Sequence, residues 1–243
     1  MIKVEILDYT MNILGIVGGL GTETSCSFCL NINQAIKKSQ GVQPQVIMEN
    51  VPISDQALKR IAYGKFSAEV LGLLVDSVKR LNACRANLIV IPCNTVHVFI
   101  TDLRRISDVP ILSIIEETVK ECQKMSYKKV GLLGSTTTIN EGLYSTELQK
   151  YAIDVIVPDG EDQQFVSECI LRIINQSATV EDKKRMIEIA EKMQSKGAEG
   201  LILGCTDLFL LISAQDVTIL LVDSTTILEK AVVAYLLKSV EEI

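Results

Sequence analysis

Cys93 and Cys205 are the side chains around which chemistry can be built. Cys93 follows Leu88-Ile89-Val90-Ile91-Pro92 and precedes Asn94-Thr95; Cys205 follows Gly200-Leu201-Ile202-Leu203-Gly204 and precedes Thr206-Asp207. Continuous apolar runs of this kind predict strands buried on both faces. Each thiol then falls at the carboxyl end of a strand, where open α/β sheets bind ligands. One such thiol suggests a nucleophile. Two, placed alike in matching stretches, suggest stereoinversion: one thiolate takes a proton from a carbon and the other thiol delivers one to the opposite face. A helix N-terminus is expected after each thiol, and its dipole and free N–H groups favour the thiolate and lower its pKa. The turn Gly18-Gly19-Leu20-Gly21-Thr22 and the neighbouring Asn and Thr residues offer donors for a carboxylate and for the enolate-like charge of the deprotonated carbon.

Other chemistry-bearing residues have blander readings. Cys84, Cys122 and Cys169 lack the strand-end context and read as packing residues. Cys26 and Cys29 have the Cys-x-x-Cys spacing but no second pair, and read as small apolar helix residues rather than a metal or redox site. His97, the single histidine, lies one helical turn after Cys93 and either faces the thiol or packs. Asp207 either assists proton transfer near Cys205 or stabilises a helix start.

The elements that must hold the thiols repeat. Met11–Val17 reads as a strand ending in the glycine-rich turn, followed by a helix over 23–38. Gln45–Met48 reads as a short buried strand, 50–55 as a loop, and 57–82 as helical with a break near Gly64. Leu88–Ile91 is the strand before Cys93, 96–106 a helix, 110–112 a strand and 115–125 a helix. The pattern then begins again: a strand at 129–134, a polar turn Ser135-Thr136-Thr137-Thr138 able to cap a helix running to about Lys150, and a strand at 153–156. Helices at 162–174 and 180–196, strands at 201–203 and 218–222, and a closing helix at 226–239 complete it. Strands alternating with helices imply parallel βαβ units. The expected fold is α/β: two similar parallel-sheet lobes related by a pseudo-twofold axis, with the active site in the cleft between them. The first lobe comprises residues 1–113 with 223–243, the second 114–222. Residues 1–10 read as a short extra arm.

Composition narrows the class. Of the 243 residues 48% are hydrophobic and 22% charged, and the formal net charge is -6 with the basic residues dispersed. That excludes a basic nucleic-acid-binding stripe. No apolar run reaches the ~18 residues of a spanning helix, and acidic residues interrupt the N-terminal apolar segment, so no signal peptide or membrane association is expected. The odd count of seven cysteines in a chain of this size fits reduced thiols in a cytoplasmic protein.

Five motifs together resemble the cofactor-independent aspartate/glutamate racemase family, in its aspartate-racemase-like branch. They are Gly15-Ile16-Val17-Gly18-Gly19-Leu20-Gly21, Pro92-Cys93-Asn94-Thr95-Val96-His97, Ile115-Glu116-Glu117-Thr118, Gly131-Leu132-Leu133-Gly134-Ser135-Thr136-Thr137-Thr138-Ile139 and Leu203-Gly204-Cys205-Thr206-Asp207. The resemblance implies Cys93 and Cys205 as the acid/base pair, Cys205 acting on the L-form and Cys93 on the D-form, with no cofactor and no metal. It implies Asp55 and Asp207 as auxiliary acids. Asn94, Thr95, Ser135, Thr138 and Thr206, with Leu20, Gly21 and Thr22, would hold the α-carboxylate and amino group of a small amino-acid substrate. A homodimer is compatible with it. Aspartate racemases of this branch tend to carry basic residues where this chain has Gln56 and Asn175. Uncharged residues there cannot grip a side-chain carboxylate, which points to broad or altered specificity; Lys59 and Arg60 read as a solvated helix face. Related enzymes that racemise hydantoins or isomerise maleate, and a non-catalytic amino-acid-binding or regulatory protein, are the alternatives.

Overall fold

The computed structural model of the protein describes residues 12–241; the arm expected at 1–10 lies outside the described residues. Strands β1 (Ile13–Gly18), β2 (Gln45–Asn50), β3 (Leu88–Val90) and β4 (Ile111–Leu112) form a parallel sheet in the order β2-β1-β3-β4. Strands β5 (Lys129–Gly134), β6 (Asp154–Ile156), β7 (Gly200–Gly204) and β8 (Leu220–Asp223) repeat that order as β6-β5-β7-β8, again all parallel. The expected α/β architecture of two like lobes is present. β3 and β7 occupy equivalent inner positions and are wholly buried, as parallel strands covered on both faces must be. Gln45–Met48 departs from expectation: β2 lies at a sheet edge and is half-exposed, with Met48 facing partly outwards.

Ten helices connect the described strands: α1 (Thr22–Gln40), α2 (Asp55–Ala62), α3 (Ala68–Ala83), α4 (Ile100–Ile106), α5 (Ile114–Lys124), α6 (Thr136–Asn140), α7 (Leu143–Gln149), α8 (Gly160–Ile174), α9 (Val180–Ser195) and α10 (Ser224–Glu241). The break expected near Gly64 separates α2 from α3, with Gly64 at φ +76°, a conformation glycine adopts without steric cost. The helix expected from Ser135 to Lys150 is instead two, parted at Gly142 with φ +63°. The helix expected over 96–106 starts as a 3-10 segment, Thr95–Phe99, before α4.

The two lobes share a core. Leu14, Ile16, Leu88 and Val90 from the first sheet and Val130, Leu132 and Ile202 from the second join one buried cluster with α1, α5 and α10 residues such as Phe28, Val119 and Leu228. Each lobe also has its own core: Val70, Leu74 and Val78 of α3 against Ile89, and Val166 of α8 with Met186 of α9 against Leu201. Each large aliphatic side chain buried in this way stabilises by roughly 1.5–3 kcal/mol. Rigid-body separation of the lobes would expose several at once, so access to the strand ends must come from smaller movements.

Candidate active site

The glycine-rich turn after β1 fixes one wall of the site. Gly19 has φ +87°, and a Cβ there would sit 2.5 Å from the Val51 carbonyl oxygen, so no other residue fits this turn. Gly21, at φ +127°, packs against the Asp207 carboxylate. The chain then enters α1, and the Thr24 hydroxyl donates to Asp207 Oδ1 across the lobe boundary.

Cys93 and Cys205, both partly buried, line one inner cavity at the ends of β3 and β7, together with Leu20, Asn94, Thr95, Ser135, Thr206 and Asp207. Its remaining wall is aliphatic: Leu58, Ile61 and Ala62 come from α2, Val96 from the 3-10 segment, and Ile170, Leu171 and Ile174 from α8. The free volume is about 30 Å³, room for a water molecule or two but not for an amino acid. A larger cavity of about 220 Å³ adjoins it, sharing Leu58, Ile174 and Asp207, and is lined by Gly21, Thr22, Glu23, Asp55, Asn175 and Gln176 among others.

A polar lattice ties the two strand-end loops together. Asn94 Nδ2 donates to Ser224 Oγ at 3.1 Å, Ser224 Oγ donates to the Leu203 carbonyl at 2.7 Å, and buried Tyr144 donates its hydroxyl to Asn94 Oδ1 at 2.6 Å. Thr95 Oγ1 and Ser135 Oγ are 3.0 Å apart, and Ser135 Oγ lies 3.0 Å from Thr138 Oγ1. Ser135 also caps α6, accepting from the Thr138 N–H. Over the aliphatic side, Thr137 Oγ1 donates to the Ile61 carbonyl and accepts from the Gly64 N–H at 2.7 Å. The end of α2 is therefore latched to the other lobe.

The electrostatics overturn the expected acidic thiols. Burial pushes the Cys93 thiol up to about 11; the N–H groups of Val96 and Thr95 favour its thiolate but do not offset the desolvation. Burial, reinforced by the Asp207 charge, pushes Cys205 well above the ordinary thiol value. After Cys205 the expected helix is only a three-residue 3-10 segment, Leu208–Leu210, too short to carry a strong dipole; after Cys93 the 3-10 segment Thr95–Phe99 leads into α4. Asp207 Oδ2 lies 3.9 Å from Cys205 Sγ. Burial raises the Asp207 pKa, Thr24 opposing and Glu23 adding to the shift. Asp207 makes no capping hydrogen bond, so its carboxylate is turned to Thr24 and the thiol rather than to a helix start.

His97 packs. Its Nδ1 bonds the Cys93 carbonyl at 2.8 Å, and its Nε2 accepts from the Ile114 N–H at 3.3 Å. Burial lowers its pKa to about 4, so the ring is neutral and positions the Cys93 backbone without touching the thiol.

Of the residues singled out from sequence, Leu20, Cys93, Asn94, Thr95, Ser135, Cys205, Thr206 and Asp207 meet at the inner cavity. Gly21, Thr22, Asp55 and Asn175 line the adjoining one. Gln56 lies further out, on a groove with Lys59 and Asn175, and Thr138 sits behind Ser135. Cys26 is exposed and Cys29 partly buried on α1, away from both cavities. Sequence reasoning missed Thr24, Thr137, Tyr144 and the α2 and α8 aliphatic wall. Only the spacing of Ile170, Leu171 and Ile174 hinted at the last, since α8 carries a second apolar face for its core.

The duplicated parallel α/β lobes each end a matching strand in a thiol, and the two thiols meet at one cavity. The Asp/Glu/Hydantoin racemase family model matches residues 17–232. The chain belongs to that family and is an isomerase of the racemase type. The broad specificity amino-acid racemase RacX of Bacillus subtilis is 26% identical over 226 residues, covering 91% of this chain and 96% of that protein. Among solved structures, a candidate Asp/Glu racemase from Yersinia pestis has 28% identity and a TM-score of 0.82, over 93% of this chain and all of the other. An aspartate racemase homologue from Pyrococcus horikoshii has 26% identity and a TM-score of 0.73, over 93% of this chain and 99% of the other. Among the described residues no helix is long and apolar enough to cross a membrane.

Proposed function

We propose that the protein racemises free amino acids without a cofactor, with Cys93 and Cys205 as the acid/base pair. The observation that carries this reading is the shared cavity: thiols from equivalent strand ends of two like lobes line one small space, with Asp207 beside one of them. In the resting site both thiols are protonated. Asp207, whose pKa burial raises, takes the proton of Cys205 as the substrate's α-ammonium brings positive charge between the thiols and favours the thiolate. The Cys205 thiolate removes the α-proton of the L-form and the Cys93 thiol reprotonates the opposite face, which leaves Cys205 protonated and Cys93 as the thiolate; that state acts on the D-form by the reverse transfer, and the proton held by Asp207 returns to the thiolate when the amino acid leaves. Thr95, Ser135 and Thr206 offer hydroxyls for the α-carboxylate, stabilising the charge that spreads onto it as Cα loses its proton. Asn94 has its amide committed to Ser224 and Tyr144, so it holds the loop after Cys93 in place.

Incubation of the purified protein with single L-amino acids in deuterated water, without pyridoxal phosphate, tests this. The expected result is α-proton exchange by NMR together with appearance of the D-form. Absence of exchange with every proteinogenic amino acid would overturn the reading.

A further inference from the structure

Building on the racemase reading, we propose that the substrate is an α-amino acid with an uncharged side chain. The reacting end of the substrate is fixed by the two thiols and the hydroxyls of Thr95, Ser135 and Thr206. The wall on the other side of the cavity, between α2 and α8, is built from Leu58, Ile61, Ala62, Ile170, Leu171 and Ile174. Among the described residues no Lys or Arg lines the inner cavity or the adjoining mouth. A side-chain carboxylate directed along this wall would lose its water and gain no cation, which is costly for any buried charge.

The mouth adds to the discrimination. Glu23, Asp55 and Asp207 line it, so it offers an anionic side chain no opposite charge. Lys59 lines only the outer groove, on the exposed face of α2 beside Gln56, with Asn175 opposite at the end of α8. A cationic side chain gains little in compensation. Glu23 and Asp55 are solvent-exposed, and a solvated ion pair contributes little. Asp207 is held by Thr24 at the reacting end, beside Cys205. A longer side chain that leaves the aliphatic wall meets the amides of Gln56 and Asn175, with Asp55 and Lys59 beside them as solvated charges of opposite sign. Leucine, methionine and glutamine have side chains of this kind.

The test is kcat/KM for α-proton exchange in deuterated water over a panel of L-leucine, L-methionine, L-glutamine, L-aspartate, L-glutamate, L-lysine and L-arginine. The best uncharged substrate should exceed every charged one by about 100-fold or more. A charged amino acid as the best substrate overturns the proposal and leaves the racemase reading intact. Exchange with none of the seven, nor with any other amino acid, overturns both. Leu171→Lys, which places a cation on the partly exposed end of the aliphatic wall, should raise the glutamate-to-leucine ratio of kcat/KM by at least 10-fold. Asn175→Lys, at the exposed end of α8, should shift it the same way and serves if the first variant does not fold. An unchanged ratio in a folded variant contradicts the proposed path of the side chain.

Discussion

Replacing Asp207 by Asn removes the charge that adds to burial in raising the Cys205 pKa. The carboxylate lies 3.9 Å from Sγ and is nearly fully buried. At an effective dielectric constant of about 20, a unit charge at that separation raises the cost of the thiolate by roughly 4 kcal/mol, about 3 pKa units. Because burial also raises the Asp207 pKa, the carboxyl and thiol titrate as a coupled pair. The full effect is therefore an upper bound, and a fall in the Cys205 pKa is expected. The thiolate is the species that alkylates, so peptide-resolved iodoacetamide labelling against pH reads this directly, with exposed Cys26 as the reagent control. The labelling midpoint of Cys205 should move to lower pH in Asp207→Asn. Racemisation should nonetheless slow, by roughly 100-fold or more, because the thiol has lost its proton acceptor. A midpoint that stays or rises would refute the placement of Asp207 as the charge controlling this thiol; an unchanged rate would refute its role as acceptor.

Three further outcomes follow from the geometry. Thr137→Val removes both hydrogen bonds that latch the end of α2, about 1–3 kcal/mol in all. Amide hydrogen exchange over 54–67 should accelerate several-fold, with Thr137→Ser restoring protection; exchange no faster than in the native protein would show that α2 does not open over the cavity. His97 titrates near 4 when folded and near its ordinary value when unfolded, so between these the unfolded chain binds more protons and acid destabilises the fold. About 2 kcal/mol should be lost from pH 7 to pH 5, partly offset by Asp207 and Glu229, whose raised pKa values act in the opposite sense. Urea unfolding at the two pH values should show that slope, and His97→Gln should remove it; a variant that retains the slope contradicts a buried neutral ring. Gly204→Ala would drive a Cβ to 2.9 Å from the Leu133 carbonyl and 2.7 Å from Leu132 Cδ1. Activity should fall more than thermal stability because Cys205 is the next residue; native activity would show that the end of β7 tolerates displacement.

The parts of the fold legible in the sequence are those where burial is complete. β1, β3, β5 and β7 are inner strands; β3 and β7 run to Cys93 and Cys205, β1 to the glycine-rich turn and β5 to Ser135. β2 was legible as a strand but not as an edge, because Val46 and Ile47 pack inwards while Gln45 and Met48 turn out. The break at Gly142 was hidden because Thr136–Asn140 and Leu143–Gln149 each read as helix and the left-handed residue between them has no other mark. Thiol acidity was misjudged for a reason local sequence cannot supply: desolvation depends on α2 and α8 closing over the strand ends. The Thr24–Asp207 and Thr137–Ile61 contacts span 183 and 76 residues, and no spacing rule brings such pairs together.

The central claim is that two thiols act on opposite faces of one carbon. Racemisation by Cys93→Ser and by Cys205→Ser, each assayed from both the L- and the D-form of the best substrate in deuterated water, tests it most directly. Both variants should fold and bind substrate yet lose inversion in either direction. Inversion at the native rate by either variant would contradict the two-base account.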